Sequence, residues 1–185
     1  MAHGRTWAIR AARVYDGETL HKGFPLVVID GSGIATVDST TASASADLQV
    51  LDLGDVTLLP GLIDAHVHLA FDPDSPSKHQ EIVDQDNPTI ATRMRRHALQ
   101  HLRAGVTTVR DLGDRDYLAI ALRDEYVADP GAGPEIVAAG PPITRTRGHC
   151  WFLGGEADGI AGMQAAVAER VTRGADVVKS WRPAG

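Results

Sequence analysis

Leu62-Ile63-Asp64-Ala65-His66-Val67-His68-Leu69 is the stretch on which the fold turns. Side chains two apart on a strand share a face. Read as a strand, the segment therefore sorts into two sets. Ile63, Ala65, Val67 and Leu69 form a wholly apolar face suited to burial under helices. Leu62, Asp64, His66 and His68 form the other, with two imidazoles side by side at the C-terminal end of the strand.

Downstream of Pro60-Gly61, strands alternate with helices. The spacing predicts a helix over Pro88–Ala104, with Ile90, Met94, Ala98 and Leu102 on one stripe, stopped by Gly105. Val106–Arg110 is β-branched and reads as a strand. Arg115–Ala128 reads as a helix closed by Asp129-Pro130-Gly131, and Glu135–Ala139 as a third strand. Ile160–Arg173 follows as a helix closed by Gly174, and Asp176–Ser180 as a fourth strand. This order implies a parallel sheet with helices packed outside it.

Upstream the pattern is all-β. Residues Trp7–Ala12 alternate with period two. Leu26–Ile29 and Ile34–Val37 flank the turn sequence Asp30-Gly31-Ser32-Gly33, and Leu48–Leu53 and Val56–Leu58 add further strands, about five in all. Ser39–Ala46 is small and polar, as a loose surface loop would be. Two parts follow from this change of pattern: a β accessory part over 1–57 and a β/α part over 58–185.

Bulk properties narrow the classes. With 43% hydrophobic and 23% charged residues, the composition is that of a soluble globular protein. A net charge of −6 argues against a nucleic-acid binder, which meets phosphates with the opposite balance. No stretch approaches the roughly 18 apolar residues of a membrane span, and the N-terminus lacks an apolar signal core. A single cysteine, Cys150, leaves no intrachain disulfide framework, so a reducing cytoplasm is the expectation.

Two adjacent imidazoles at the C-terminal end of a parallel strand sit where barrel enzymes place their active sites, and together they suit a borderline divalent cation such as zinc. Exposed histidines on an edge strand are the competing reading. Asp64 shares the histidine face and either supports those ligands or is a locally paired carboxylate. Asp111, ending the second strand, either orients a ligand or closes a salt bridge with Arg110. His97 and His101 lie four apart on a helix, but Ala98 stands where a zinc-binding His-Glu-x-x-His helix has glutamate, and arginines surround them; a solvated helix face is expected. Cys150 reads as a packed thiol. A phosphate-binding loop and a Gly-x-Ser-x-Gly elbow are both missing from the sequence.

Leu59-Pro60-Gly61-Leu62-Ile63-Asp64-Ala65-His66-Val67-His68 resembles the first barrel strand of the metal-dependent amidohydrolases. Gly105-Val106-Thr107-Thr108-Val109-Arg110-Asp111 resembles their second strand. Pro141-Pro142-Ile143-Thr144 through Gly148-His149 resembles the segment after the third, and Ala175-Asp176-Val177-Val178-Lys179 the fourth. The nearest pattern is the imidazolonepropionase-like and Xaa-Pro-dipeptidase-like branch.

The resemblance implies the N-terminal half of a (β/α)8 TIM-type barrel preceded by part of a small β-sandwich. It implies two zinc ions in the complete protein, with His66 and His68 as ligands and a carboxylated Lys179 as the bridge, and hydrolysis of a C–N bond in a small-molecule amide, cyclic amide or dipeptide by a metal-activated water. It also implies a substrate-side role for His149, although Arg147 replaces the first glycine of the family's Gly-Gly-His turn. A mononuclear deaminase, which needs no bridging lysine, and a non-catalytic fragment or degenerate relative are the alternatives. The two further histidines and the late aspartate of the family's metal site have no counterpart here. A (β/α)8 barrel takes roughly 250 residues, so residues 58–185 have room for about four units. The expectation is a truncated chain that does not turn over substrate alone.

Overall fold

The computed structural model describes residues 6–38 and 48–181; the polar loop expected over Ser39–Ala46 lies outside them. The chain divides into two compact units, Met1–Pro60 and Gly61–Gly185.

Seven short strands build the first unit: β1 (Trp7–Arg10), β2 (Arg13–Tyr15), β3 (Leu20–Lys22), β4 (Leu26–Asp30), β5 (Gly33–Asp38), β6 (Gln49–Asp52) and β7 (Thr57–Leu58). They form two sheets, ordered β5-β4-β1-β6 and β3-β2-β7. The Asp30–Gly33 turn joins β4 to β5 as a hairpin, with Asp30 paired to Gly33. Two strands, β2 and β3, go beyond the sequence reading. The turn between them is made by Asp16, whose Oδ1 accepts from the amides of Glu18 and Thr19 at 2.9 and 2.8 Å. Ala11, Val14 and Val27 form the buried core, with Ile9, Val37 and Leu58 packed against it.

The second unit alternates strand and helix: β8 (Leu62–Val67), α1 (Lys78–Asp84), α2 (Asn87–Arg103), β9 (Val106–Asp111), α3 (Leu118–Ala128), β10 (Glu135–Ala138), a 3-10 turn (Trp151–Leu153) and α4 (Gly159–Thr172). The strands pair in parallel in the order β10-β9-β8. Among the described residues the result is a mixed α/β fold with four helices. Asp86 caps α2 by accepting from the Thr89 amide at 2.9 Å. Ile90, Met94 and Ala98 are its fully buried stripe, sharing a core with Leu69, Val109 and Leu153. None of the helices described is long and apolar enough to cross a membrane.

Three expectations need correction. First, the apolar face of β8 is buried only at its far end: Val67 and Leu69 are covered, whereas Ile63 is 71% exposed and Leu62, on the other face, 52%. β8 is an edge strand, and among the described residues nothing covers its first half. Its register with β9 also shifts at Leu62/Ile63 and again between Asp64 and Val67, so the regular alternation is interrupted. Second, the helix expected from Arg115 begins at Leu118, because Asp116 and Tyr117 are left-handed (φ 57° and 61°). Third, the fourth strand shrinks to a single bridge, Ser180 to Ile143. The segment is held at its ends, by Asp176 N to Ala138 O (2.9 Å) and by Ile143 N to Lys179 O (2.8 Å). Between these points Pro141 and Pro142 have no N–H to donate, so a ladder cannot run through.

Candidate functional site

The C-terminal ends of β8 and β9 carry the site. Pro60-Gly61 lets β8 come up tightly beside β9: a Cβ on Gly61 would lie 2.0 Å from Thr107 Oγ1. At the other end, His66 and His68 meet edge to face, ring centroids 5.4 Å apart. The imidazole pair thus survives the irregular register. His68 is half-buried against Phe71, ring centroids 5.3 Å apart.

The backbone here is held from several sides. Leu69 N donates to Asp111 Oδ2 (2.9 Å), and Leu112 N donates to Val67 O (3.1 Å). Leu69 O lies 2.9 Å from Nδ1 of His97. A carbonyl only accepts, so His97 carries its proton on Nδ1, and its Nε2 lies 3.3 Å from an Arg96 nitrogen. His97 is therefore a buried, neutral brace, not part of a solvated helix face. Burial, opposed by the Leu69 bond, lowers its pKa. His101 is half-exposed, with Nδ1 on His97 O at 2.9 Å.

Both predicted imidazoles have their pKa lowered, which favours the neutral ring. Desolvation, then the neighbouring His68, Lys179 and Arg110, lower the pKa of the exposed His66, with Asp64 opposing. Burial lowers that of His68 as well, with Lys179 and His149 adding to it and the bond to Gly113 opposing. That bond, Nδ1 to Gly113 O at 2.9 Å, places the ring proton on Nδ1 and leaves the Nε2 lone pair open.

Lys179 lies close enough to depress both imidazoles, and its Nζ sits 4.3 Å from the Trp181 ring centroid. The exposed His149 ring is 4.2 Å from the same indole. Arg147, two residues earlier, takes the left-handed conformation (φ 54°), so the turn keeps a backbone suited to glycine despite the arginine. Next to it a Cβ on Gly148 would fall 2.2 Å from Thr144 Oγ1. Cys150 is half-buried and burial raises its thiol pKa, in keeping with a packed thiol.

Asp64 and Asp111 part company. Asp64 Oδ1 accepts from the amide of His66 (3.1 Å), and its Oδ2 is 3.9 Å from His101 Nε2. Asp111 is fully buried and forms no pair with Arg110, which points the opposite way and donates to Ala65 O at 2.8 Å. The sequence reading missed Gly113 and Trp181. It also missed an aromatic wall of His79, Trp151 and Phe152, which with His149 and Trp181 lines an open cavity of about 660 Å³. The Asp-x-Gly pattern of Asp111-Leu112-Gly113 was the available signal for the first; nothing in the sequence marked the wall.

As a donor set, two adjacent imidazoles with lowered pKa, one with its Nδ1 engaged by a carbonyl, fit a borderline divalent cation in kind. Among the described residues no three or more His, Cys, Asp or Glu side chains are grouped to hold one. These residues are therefore part of a donor set.

A family profile described as the amidohydrolase family matches residues 57–182. The chain is 42% identical to an N-substituted formamide deformylase of Arthrobacter pascens over 72 residues, 36% of this chain and 12% of that protein. It is 26% identical to an ochratoxinase of Aspergillus niger over 154 residues, 69% of this chain and 31% of that protein. Among solved structures it superposes on a Xaa-Pro dipeptidase with a TM-score of 0.77 at 29% identity, covering 95% of this chain and 46% of that one. The ochratoxinase structure gives 0.74 at 21% identity, a likeness of fold. The chain thus spans less than half the length of each of these relatives.

Proposed function

The chain belongs to the amidohydrolase family, and on that premise we propose that it carries the first part of a divalent-metal site in a hydrolase of C–N bonds. The observation that carries this reading is the imidazole pair: adjacent, with both pKa values lowered, and with the His68 lone pair directed away from the Gly113 carbonyl. In this reading residues 58–185 are the first four units of a (β/α)8 barrel and residues 1–57 belong to an accessory sandwich. His66 and His68 would hold one ion, probed as zinc, and a carboxylated Lys179 would reach toward a second.

When bound, such ions supply Lewis acidity, which polarises a carbonyl and acidifies water near neutral pH. The chain's own residues do the rest. The lowered pKa of His66 and of His68 favours the uncharged rings, whose lone pairs are available to a cation. His149, exposed beside Trp181, holds the substrate carbonyl from the side of the aromatic cavity. The substrates named for the relatives, an N-substituted formamide, ochratoxin and a Xaa-Pro dipeptide, share an amide C–N bond, and an amide is the substrate class proposed here.

One observation favours a second reading. Lys179 Nζ over the Trp181 ring is a cation–π contact, which engages the amine elsewhere and competes with a carbamate. A mononuclear site on His66 and His68 alone would suit it.

Titration of the 185-residue chain with Co(II) or Zn(II) tests the proposal. Binding that is lost in both His66→Ala and His68→Ala supports it, and no binding by the wild-type chain overturns it. A carbamate signal from ¹³C-bicarbonate, absent in Lys179→Ala, separates the two-metal reading from the mononuclear one. The chain alone is expected not to turn over substrate; zinc-dependent amide hydrolysis lost in His66→Ala overturns that expectation.

A further inference from the structure

Between β9 and α3 lies a short turn, Asp111-Leu112-Gly113-Asp114, whose hydrogen bonds converge on His68. Asp111 is fully buried and uses both carboxylate oxygens on backbone amides: Oδ2 accepts from Leu69 N at 2.9 Å, and Oδ1 from Gly113 N at 2.9 Å. The first bond fixes the residue that follows His68. The second fixes the backbone N–H of Gly113, the residue whose carbonyl holds His68 Nδ1 at 2.9 Å. One carboxylate therefore sets the strand end and the ring anchor together.

The geometry points to Asp111 as the positioning residue of His68, acting through Gly113 to fix its tautomer and ring orientation. This deepens the metal-site reading and rests on it for its purpose, though not for its geometry.

Gly113 gives independent support. A Cβ there would come 3.1 Å from His68 Cε1, 3.2 Å from Nδ1 and 3.2 Å from Pro142 Cγ. A side chain there would crowd the ring, which would have to give by a few tenths of an ångström. The neighbouring Asp114 shows the contrast. Its Oδ2 accepts from Ala119 N, while its Oδ1 is buried without a partner. Burial pushes both carboxyls above the usual carboxylate range. Two N–H donors favour the anion at Asp111, and the charge of Asp111 is one of the causes that raise the pKa of Asp114. A ligand histidine held through its other ring nitrogen presents a defined lone pair, and loss of such a support typically costs ~10–100-fold in metal affinity.

The test is long-range ¹H–¹⁵N correlation of the histidine rings in the metal-free 185-residue chain, combined with Co(II) titration. Wild type and Asp114→Asn are expected to show His68 as a single tautomer protonated on Nδ1. Asp111→Asn accepts only one of the two amide bonds, so His68 is expected as a tautomer mixture, with Co(II) affinity falling ~10-fold or more. Retention of the wild-type tautomer in Asp111→Asn overturns the proposal. Should Asp111→Asn fail to fold, Gly113→Ala decides: it keeps the carboxylate and displaces the ring, and an unchanged His68 tautomer in that variant is equally fatal. If the tautomer shifts as expected but wild type binds no Co(II), the metal reading fails and the positioning role stands.

Discussion

At the scale of single residues, the chemistry depends on which atoms are already engaged. His68 and His97 are both half or more buried, and both bond a carbonyl through Nδ1. Yet His97 has Arg96 at its other nitrogen, whereas His68 has no hydrogen-bond partner there among the described residues. That difference separates a brace from a ligand candidate, and spacing along the sequence does not contain it. The buried carboxyls make a pH prediction. Asp114 is held well above its unfolded value of 3.8 by burial and by Asp111. Between these two values the folded state binds the extra proton, so this group's contribution to stability is largest below pH ~4 and is lost as pH rises through the folded-state value. Asp114→Asn is expected to be more stable than wild type at pH 7–8, with the gain vanishing near pH 4, as read by urea midpoints. At Arg147 the left-handed backbone costs a non-glycine residue about 1 kcal/mol. Arg147→Gly is expected to raise stability by up to that amount, less the entropic cost of glycine, in thermal melts.

At the scale of elements, the segment after β8 is tied down by a buried polar network. Glu81 on α1 pairs with Arg93 on α2, side chains 6% and 9% exposed, and Glu81 also accepts from the amide of Asp72. Breaking a buried pair strands a charge, so Arg93→Ala is expected to cost about 3–5 kcal/mol in chemical denaturation. An Arg93→Met, Glu81→Leu double variant should recover most of that. The core stripe of α2 behaves differently: Met94→Ala removes packing alone and is expected to cost about 2–5 kcal/mol. The stripe Ile90, Met94 and Ala98 was legible because helical periodicity reports burial directly. The Arg93–Glu81 pair was not, because its partners come from two helices and α1 itself carried no strong periodic signal.

At the scale of the whole molecule, the second unit leaves apolar surface open on β8 and along α4. Leu62 and Ile63 lie on the edge strand β8, and Ile160, Met163, Val167 and Val171 run along one side of α4, with Ile160 81% and Val171 67% exposed. Exposed strand edges and contiguous apolar patches promote association. The 185-residue chain is expected to self-associate at micromolar concentration, and Ile63→Lys with Val171→Lys to shift light scattering toward monomer. The sequence by itself determined the alternation of strand and helix, the family, and the pairing of His66 with His68. Those features are written in local periodicity and in motif order, which need no knowledge of the rest of the chain. Only the tertiary structure decided that Asp111 serves backbone amides and not Arg110, that His97 is a brace, and that Lys179 and His149 meet on Trp181. Those outcomes depend on which donors and acceptors long-range packing brings within ~3 Å of one another, and no spacing along a single chain encodes that.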